Sequence, residues 1–379
     1  MNSVPRILFL TLSLYPAQSG GPSSTIYWMG KALKRQGFRV ATVTTSRDIE
    51  GKVPYDAWLE KDYGKAIYLN VPNYKYSPRI LWEVILQLRH SDILQPASFF
   101  YPVALPAVIA AVLMGKKVVW SVRGEFFPPA LGNSKSKRLL IQFVRFTVAP
   151  LVTFHSTSAA ETTLIREHMG QKTTIVQAPN LIEMAPFDPE KRQTSTAPPY
   201  LLFVGRINPI KALDRLLQAL AQSRHFRRSD FILKIAGNAG NDYGRELSAL
   251  AKDLGLSDKV EFIGLVTGAE KEQLFAGAYF SFLPSHSENF GNVVLESMAE
   301  GTPVVASKGT PWSAMEAAGA GFWVSNEPAP LSNVIDEILT LPAAVYQQYR
   351  NAARLFVETS FEVNQNIEQW IRLYRQLKV

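Results

Sequence analysis

Short apolar runs alternate with helical periodicity along most of the chain. In the first half, apolar runs predict strands at 6–12, 38–44, 66–70, 92–95, 117–122, 151–155 and 174–177. Helical patterns lie between them, at about 22–36, 79–89, 104–114, 135–149 and 159–169. Strands that are separated by helices predict βαβ units and a mostly parallel sheet with helices on both faces.

The alternation stops at residues 183–199 and then starts again. This stretch is rich in proline and polar side chains, which is typical of an interdomain linker. Beyond it, strands are predicted at 200–204, 231–236, 260–262, 278–283 and 303–307, and helices extend from about 332 to 378. The pattern predicts an α/β protein of two doubly wound, Rossmann-like domains in tandem. Because such sheets bind ligands at the carboxyl ends of their strands, two facing domains would enclose a cleft.

Two apolar stretches have the length of a targeting or membrane segment. The run from Ile7 to Leu14 leads into a proline and a pair of glycines, and we interpret it as a buried strand and not as a signal peptide. The uncharged stretch 93–115 is interrupted by three prolines. These prolines favour a strand, a loop and a buried helix over a transmembrane span.

The net charge of +8 lies entirely in the first half of the chain. Residues 1–190 carry 21 Lys and Arg against 13 Asp and Glu, whereas residues 191–379 carry 19 of each. A basic half indicates an anionic partner, which would be a nucleic acid, a membrane or a substrate. No nucleic-acid-binding motif accompanies the charge, so we expect no nucleic-acid partner. The absence of cysteine excludes disulfides, thiolate nucleophiles and Cys-ligated metal sites.

Part of this charge is interleaved with large apolar residues. Such a segment is typical of a surface that contacts an anionic membrane, although an ordinary amphipathic core helix is the alternative. The residues in question are Lys135, Lys137, Arg138, Leu139, Leu140, Ile141, Phe143, Arg145 and Phe146, with Arg79, Trp82 and Arg89 from an earlier helix.

Two cations follow the strand predicted at 200–204. Gly205 allows a tight exit from this strand, and Arg206 and Lys211 come before the next helix. Five positions apart in a strand-to-helix loop, they can converge on one anion, and the helix N-terminus adds backbone donors. This arrangement suits a diphosphate, with the arginine forking two oxygens and the lysine acting as a point charge. Two solvated loop cations are the alternative.

A pair of carboxylates follows the strand predicted at 278–283. Glu288 and Gly291 lie in the loop, and Glu296 lies one turn inside the helix that begins near Asn292. Gly291 lets backbone amides approach a ligand closely. A carboxylate can accept two hydroxyl hydrogen bonds from a sugar or a ribose. Apolar neighbours argue that Glu296 is not simply a solvated helix residue.

Two weaker patterns lie in the first half. Gly20 and Gly21 stand at the mouth of the first helix, where they can either cradle a phosphate or form a plain tight turn. Arg123 and Glu125 stand at the carboxyl end of an apolar strand, which would place them in a ligand cleft. A structural ion pair between these two side chains is the alternative.

Together these residues resemble the retaining family 4 (group 1) glycosyltransferases, which have the GT-B fold, and within that family a polysaccharide-assembly subgroup. The similarity extends over nearly the whole chain. Its main motifs are Gly205-Arg206 with Lys211, Glu288 with Phe290-Gly291 and Glu296, and the run 301–305; weaker similarities are Gly20-Gly21, Ser156 to Glu161, Pro179-Asn180 and the run 262–264.

The resemblance implies a donor site for a nucleoside-diphosphate sugar, carrying uridine or guanosine. It implies that Glu288 holds donor-sugar hydroxyls, that Glu296 holds the ribose and that Arg206 and Lys211 stabilise the diphosphate. Further implied contacts are backbone amides at Phe290, Gly291, Asn292 and Val293, phosphate contacts from Gly20 and Gly21, and Ile263 and Val266 framing the base.

The implied domains are an N-terminal acceptor-binding domain at 1–182, completed by about 362–379, a linker at 183–199, and a donor-binding domain at 200–361. Arg123 occupies a position where many members have histidine; it can contact donor phosphate or an anionic acceptor, but it is a poor base. His155 ends another strand and is interpreted as structural. Ala212 and Asn289 stand where the family more often has glycine.

The expected activity is retaining transfer of a hexose to a glycan or lipid-linked acceptor in the synthesis of lipopolysaccharide, exopolysaccharide or capsule. Neither a cofactor nor a metal is expected, since no Asp-x-Asp signature occurs. We expect a cytoplasmic protein that is either free in the cytoplasm or peripheral on the inner face of the cytoplasmic membrane. The alternatives are a sugar-nucleotide epimerase of the same fold and a non-catalytic nucleotide-binding module.

Overall fold

The computed structural model describes residues 4–17, 21–49, 53–186 and 198–378. The described chain forms two compact units. Unit 1 comprises Met1–Glu183 and Val363–Val379, and unit 2 comprises Met184–Glu362. Residues 187–197 of the predicted linker lie outside the described residues.

Unit 1 is built on an eight-stranded sheet with the order β3-β4-β2-β1-β5-β6-β7-β8. Among the described strand pairs of this sheet, the edge pair β3–β4 is antiparallel and the others are parallel. The strands are β1 Arg6–Leu10, β2 Arg39–Thr45, β3 Trp58–Lys61, β4 Gly64–Leu69, β5 Ile93–Pro96, β6 Lys117–Ser121, β7 Thr153–Ser156 and β8 Ile175–Gln177. The helices before the unit boundary are α1 Gly21–Arg35, α2 Pro78–Leu88, α3 Ala104–Leu113, α4 Pro128–Leu131, α5 Lys135–Thr147 and α6 Ala159–Met169.

Unit 2 is built on a six-stranded parallel sheet with the order β11-β10-β9-β12-β13-β14. Its strands are β9 Tyr200–Val204, β10 Ile232–Ala236, β11 Val260–Gly264, β12 Ser281–Leu283, β13 Val304–Ser307 and β14 Gly321–Val324. Its helices are α7 Leu213–Gln222, α8 Arg224–Arg228, α9 Asp242–Asp253, α10 Gly268–Gly277, α11 Asn292–Ala299, α12 Ser313–Ala317, α13 Pro328–Leu339 and α14 Ala343–Phe361. The last two helices, α15 Val363–Asn366 and α16 Glu368–Lys378, belong to unit 1.

Both faces of the unit 1 sheet are covered by buried apolar side chains. One face packs against α2, α3, α5 and α6, through residues such as Val84, Val108 and Ile165. The other face packs against α1 and α16, through Leu33, Trp370 and Tyr374. Parallel sheets need this double cover, because both sides of each strand are apolar. The predicted α/β class with two doubly wound domains is confirmed.

Residues 93–115 form β5, a loop and α3, as the strand–loop–helix prediction expects. Within the described residues, no helix combines the length and apolar character needed to cross a bilayer. The run that begins at Ile7 lies in the central strand β1, where four of its five residues are buried.

Candidate active site

Two loops of unit 2 carry the predicted donor-site residues, and the sheet order brings them together. One loop follows β9 and the other follows β12, and these strands are neighbours in the parallel sheet. The carboxyl ends of parallel neighbours lie at the same sheet edge, where ligands bind in this class of fold. A backbone hydrogen bond of 2.8 Å from His286 N to Ile210 O joins the two loops directly.

The loop after β9 positions Arg206 and Lys211 differently. Arg206 is exposed, whereas the side chain of Lys211 is 14% exposed. A 3₁₀ turn at Pro209–Lys211 precedes α7, and Ala212 completes the connection with a left-handed φ of 50°. Non-glycine residues disfavour this conformation, which explains why a glycine suits the position well. Asn241 Nδ2 donates to Ile207 O at 2.7 Å and supports the loop from α9.

Glu288 lies against Lys211 as an ion pair within hydrogen-bond distance. Its Oε1 accepts from Lys211 Nζ and, at 2.8 Å, from the Ser285 hydroxyl. Its backbone N–H donates to Gly309 O at 2.9 Å, so the loop is also held from the segment after β13. The structure therefore joins one predicted diphosphate ligand and one predicted sugar ligand in a single charged pair.

The start of α11 presents backbone amides beside this pair. Gly291 is the N-cap residue just before the helix and has a left-handed φ of 80°, and a Cβ there would meet Leu283 Cδ2 at 2.7 Å. Phe290 is buried, and its carbonyl accepts from Trp312 Nε1 at 2.5 Å. Asn292 and Val293 occupy the first turn of α11, so their backbone N–H groups lie at the positive end of the helix dipole. The sequence requirement for glycine at position 291 thus has a steric cause.

Glu296 lies one turn further along α11 and pairs with a residue that the sequence did not reveal. Lys271 Nζ, from the first turn of α10, lies 2.7 Å from Glu296 Oε2, and each side chain is 24% exposed. Lys271 sits in the run Gly268-Ala-Glu-Lys-Glu-Gln, which is indistinguishable from a solvated helix start. Only the packing of α10 against α11 identifies it.

Ile263 and Val266, the predicted base-framing residues, lie at and just after the end of β11. Val266 is buried in an apolar cluster with Val204 and Ala236, and Ile263 and Val293 pack against the same cluster. The cluster therefore connects these two residues with the start of α11. Their contact with a base stays a prediction.

Arg123 lies two residues after the end of β6 in unit 1, and it does not pair with Glu125. Its Nη1 donates to Asn180 Oδ1 at 2.7 Å, and its backbone is left-handed with a φ of 55°. Burial lowers the pKa of Arg123 to about 10, while the charge of Glu161 opposes this shift. Glu161 also accepts from the Gly124 N–H at 2.5 Å and so fixes the turn.

Glu125 instead binds the loop that follows β5. It accepts from the Ser98 hydroxyl at 2.6 Å and from the Phe100 N–H at 3.0 Å. Burial raises the pKa of this carboxyl, and these hydrogen bonds act in the opposite direction. The suggested Arg123–Glu125 ion pair is therefore wrong: the two side chains anchor different loops.

Gly21 is the first residue of α1, and Gly20 lies outside the described residues. The Gly21 carbonyl accepts from the Ser24 hydroxyl at 3.2 Å and the Thr25 hydroxyl at 2.8 Å. Phosphate contacts from this pair of glycines stay a prediction.

His155 is a structural residue of the unit 1 core. Its Nε2 donates to Ala178 O at 2.9 Å, and its Nδ1 lies 3.0 Å from the Ser121 hydroxyl. Because a carbonyl can only accept, the Nε2–H tautomer follows, and Nδ1 then accepts from Ser121. The ring is 1% exposed and lies 4.6 Å from the Trp370 ring. Burial, assisted by the charge of Arg123, lowers the pKa of His155 to about 3.

The depressed pKa of His155 predicts a pH dependence of stability. Below its unfolded pKa of about 6.5, the unfolded chain takes up a proton at this position that the folded chain does not. Between that pH and the folded pKa of about 3, the free energy of unfolding should fall as the pH falls, by about 1.4 kcal/mol per unit. Urea unfolding at pH 7 and pH 5 of the wild type and of His155→Gln measures this difference. Equal slopes in the two proteins would contradict the assignment.

Within the described residues, no group of three or more His, Asp and Glu side chains is arranged to hold a metal ion. The charged groups of the donor region are Arg206, Lys211, Lys271, Glu288 and Glu296. The cations suit an anionic leaving group, and the carboxylates suit hydroxyl donors.

Comparison with known proteins identifies the family to which both halves of the chain are similar. Residues 185–356 match the family described as glycosyl transferases group 1, and residues 20–180 match the glycosyl transferase 4-like domain. A D-inositol 3-phosphate glycosyltransferase from Gordonia bronchialis is 36% identical over 158 residues, which cover 40% of this chain and 34% of the relative. The match thus spans about a third of the length of that relative.

Solved structures share the fold over almost the whole chain. HepE from Anabaena, in complex with UDP and glucose, has a TM-score of 0.80 and 19% identity, with 98% of this chain and 100% of that chain covered. WaaG, a glycosyltransferase involved in lipopolysaccharide biosynthesis, has a TM-score of 0.69 and 17% identity, with 98% and 99% covered. The two family matches together cover most of the sequence, and the fold agrees throughout. The chain therefore belongs to the group 1 (family 4) glycosyltransferases, with the GT-B fold.

Proposed function

We propose that this protein transfers a hexose from a nucleoside-diphosphate sugar, with retention of configuration, to a glycan or lipid-linked glycan acceptor. The main observation in support of this proposal is the contact between the loop after β9 and the loop after β12. They bring Lys211 and Glu288 into contact, with Arg206 on the same loop as Lys211 and the α11 amides following Glu288. Cations, helix amides and carboxylates are the groups needed for a diphosphate and a sugar.

The ion pair between Lys211 and Glu288 suggests how the donor sugar and its diphosphate bind. The contacts from Lys211 and Ser285 both go to Glu288 Oε1, which leaves Oε2 as the atom that we propose for sugar hydroxyls. Diphosphate oxygens would share the Lys211 ammonium with Glu288, so the lysine would be positioned before the donor arrives. Preorganised cations of this kind stabilise the charge that develops on a departing diphosphate. We propose that Arg206 and Lys211 fill this role without a metal.

In the transfer step, the bond between the anomeric carbon and the diphosphate oxygen breaks, and the acceptor oxygen bonds to the same face. The leaving phosphate oxygen takes the proton of the acceptor hydroxyl, and we propose no residue of this chain as a covalent nucleophile. The buried, doubly hydrogen-bonded His155 is no candidate acid or base. An epimerase would need acid and base carboxylates or histidines in its cleft. The spacing of Glu288 and Glu296 along the chain does not resemble such a pair, so we favour the transferase.

We propose Glu296 for the ribose and Lys271 as the residue that positions it. With Oε2 facing Lys271 Nζ at 2.7 Å, the carboxylate is oriented before nucleotide binds. The neighbouring apolar cluster of Val266, Ile263 and Val293 would frame the base.

The base, sugar and acceptor are further parts of the proposal. UDP and glucose in the HepE complex support a uridine nucleotide, with GDP as the alternative. The fold shared with WaaG supports an acceptor of cell-surface polysaccharide synthesis: lipopolysaccharide, exopolysaccharide or capsule. We place the reaction at the cytoplasmic face of the membrane. Because several relatives are named D-inositol 3-phosphate glycosyltransferase, inositol 3-phosphate is the alternative acceptor to test against a glycan.

Thermal unfolding with UDP, GDP and ADP tests the donor site. At 100 times its dissociation constant, the correct nucleotide should stabilise the protein by about 2.7 kcal/mol and raise the Tm by about 5 °C. We expect this result with UDP. If none of the three nucleotides shifts the Tm, the proposed donor site is wrong.

The acceptor is tested separately. Mass spectrometry of the products formed with a lipid-linked glycan and with inositol 3-phosphate shows which of the two acceptors is glycosylated.

A further inference from the structure

Large apolar side chains that face solvent are concentrated on one helix layer of unit 1. Among the described residues, eight of the twelve exposed large apolar side chains lie on or beside α2, α3 and α5. A contiguous apolar surface on a folded domain marks a contact site. The eight are Tyr76, Trp82, Ile109, Leu113, Leu139, Phe143, Phe146 and Leu151.

Helix α5 has two apolar stripes on opposite sides. Ile141 and Val144 are buried against the sheet. Leu139, Phe143 and Phe146 are 65%, 50% and 77% exposed. Their spacing of four and three residues places these three on one helix face, about 180° from the buried stripe. A core helix needs only the inner stripe, so the outer stripe requires another explanation.

The neighbouring helices extend the same outer face. Helix α3 buries Ala104, Ala107 and Ala111, and it turns Ile109 and Leu113 outwards, with Leu113 82% exposed. Helix α2 packs against α3 and exposes Trp82. These helices follow β4, β5 and β6 and cover one sheet face. We call the exposed outer sides of α2, α3 and α5 the outer face.

The charge around the outer face is mainly positive. Residues 78–150, which include α2, α3 and α5, carry nine Lys and Arg against three acidic residues, Glu83, Asp92 and Glu125. Each of these carboxylates has a partner: Glu83 accepts from the Trp58 indole, Asp92 pairs with Arg6, and Glu125 accepts from the loop after β5. On α5, three cations are exposed beside the outer stripe: Lys135, Arg138 and Arg145. The surface therefore combines exposed aromatic and aliphatic side chains with a net positive charge.

We propose that the outer face of unit 1 docks on the surface of an anionic lipid bilayer, with α2, α3 and α5 lying in the plane of the interface. Phe and Leu on one side of a helix and Lys and Arg beside them are typical of interfacial helices. A protein partner is less suited, since the cores of protein interfaces are depleted of lysine. Each basic residue near the surface strengthens attraction to anionic headgroups.

Cosedimentation with vesicles tests the outer face without any turnover measurement. The full chain should bind vesicles that are about one third phosphatidylglycerol and should bind pure phosphatidylcholine only weakly. The double variant Phe143→Ser/Phe146→Ser should lower the partition coefficient by about tenfold or more, and so should Lys135→Glu/Arg138→Glu. The variants replace exposed side chains, so the fold should be kept, which circular dichroism verifies.

A matched control lies in unit 2. Leu265 and Leu355 are 68% and 58% exposed, and Leu265→Ser/Leu355→Ser should leave vesicle binding unchanged. The proposal is overturned if the wild type ignores anionic vesicles at low salt, or if the control variant loses as much binding as the outer-face variants. It is also overturned if light scattering finds a dimer that the Phe143→Ser/Phe146→Ser variant converts to a monomer. This inference names the membrane partner of the proposed function, and the UDP-induced Tm shift tests the donor site separately.

Discussion

Replacing Lys211 with alanine is expected to lower kcat/KM for the nucleotide sugar by about 100- to 1000-fold. The lysine faces Glu288 in a pair that is largely shielded from water, with each side chain 14% exposed. In the proposed donor site this cation stabilises the charge that builds on the leaving diphosphate, and removing one such group typically has an effect of this size. Steady-state kinetics with saturating acceptor and varied donor measures the change.

Two further variants separate this catalytic effect from damage to the fold. Lys211→Ala leaves the Glu288 carboxylate without its cation, which lowers stability. Lys211→Ala/Glu288→Gln removes that unpaired charge and should recover the Tm without recovering activity. Arg245→Ala, which removes the exposed Arg245–Asp242 pair on α9 of the same unit, should leave kcat/KM unchanged. Near-normal turnover of Lys211→Ala would show that the donor diphosphate binds elsewhere.

Replacing Glu296 with alanine is expected to lower kcat/KM by about 100-fold, mainly through a higher KM for the donor. A ribose contact is present both in the bound donor and in the transition state, so it contributes to binding more than to the chemical step. The variant should also lose its discrimination against a donor nucleotide that lacks the ribose hydroxyls. The ratio of the dissociation constants of UDP and its 2′,3′-dideoxy analogue, compared between wild type and variant, measures this discrimination.

Lys271 gives this prediction an internal check. If the lysine acts by orienting Glu296, Lys271→Met should weaken donor binding by about five- to tenfold in the wild-type background. It should have little additional effect once Glu296 is alanine, because the oriented group is gone. Additive effects of the two substitutions would mean that Lys271 contacts the nucleotide independently. A normal donor KM in Glu296→Ala would remove the ribose assignment.

Local sequence pattern predicts those features of the site whose conformation depends on residues nearby in the sequence. Gly291 needs a left-handed backbone at the start of α11, and Arg206 and Lys211 follow a strand that is apolar throughout. Strand ends, glycines and charges of this kind are visible in a window of about ten residues. The fold class was predictable for the same reason, because strand and helix periodicities alternate regularly.

The parts that were missed depend on side chains that meet from distant positions. Lys271 pairs with a residue 25 positions away, and Arg123 binds Asn180 instead of its neighbour Glu125. The edge strand β3 carries Glu60 and Lys61 and shows little apolar alternation, so its pairing with β4 has no local signature. Nothing in the local pattern around His155 indicates Trp370 as its neighbour. Such contacts are products of the tertiary fold.

The return of the chain to unit 1 after unit 2 has a consequence for synthesis on the ribosome. Trp370 and Tyr374 fill one face of the first sheet, and Tyr374 donates to Gln95 Oε1 at 2.5 Å. All of residues 184–362 are translated before these side chains exist. At about 5–20 residues per second, the first domain to emerge waits roughly 10 to 40 s with an apolar face open. During this interval the N-terminal half exposes apolar surface of the kind that chaperones bind. The domain that is made first is completed last.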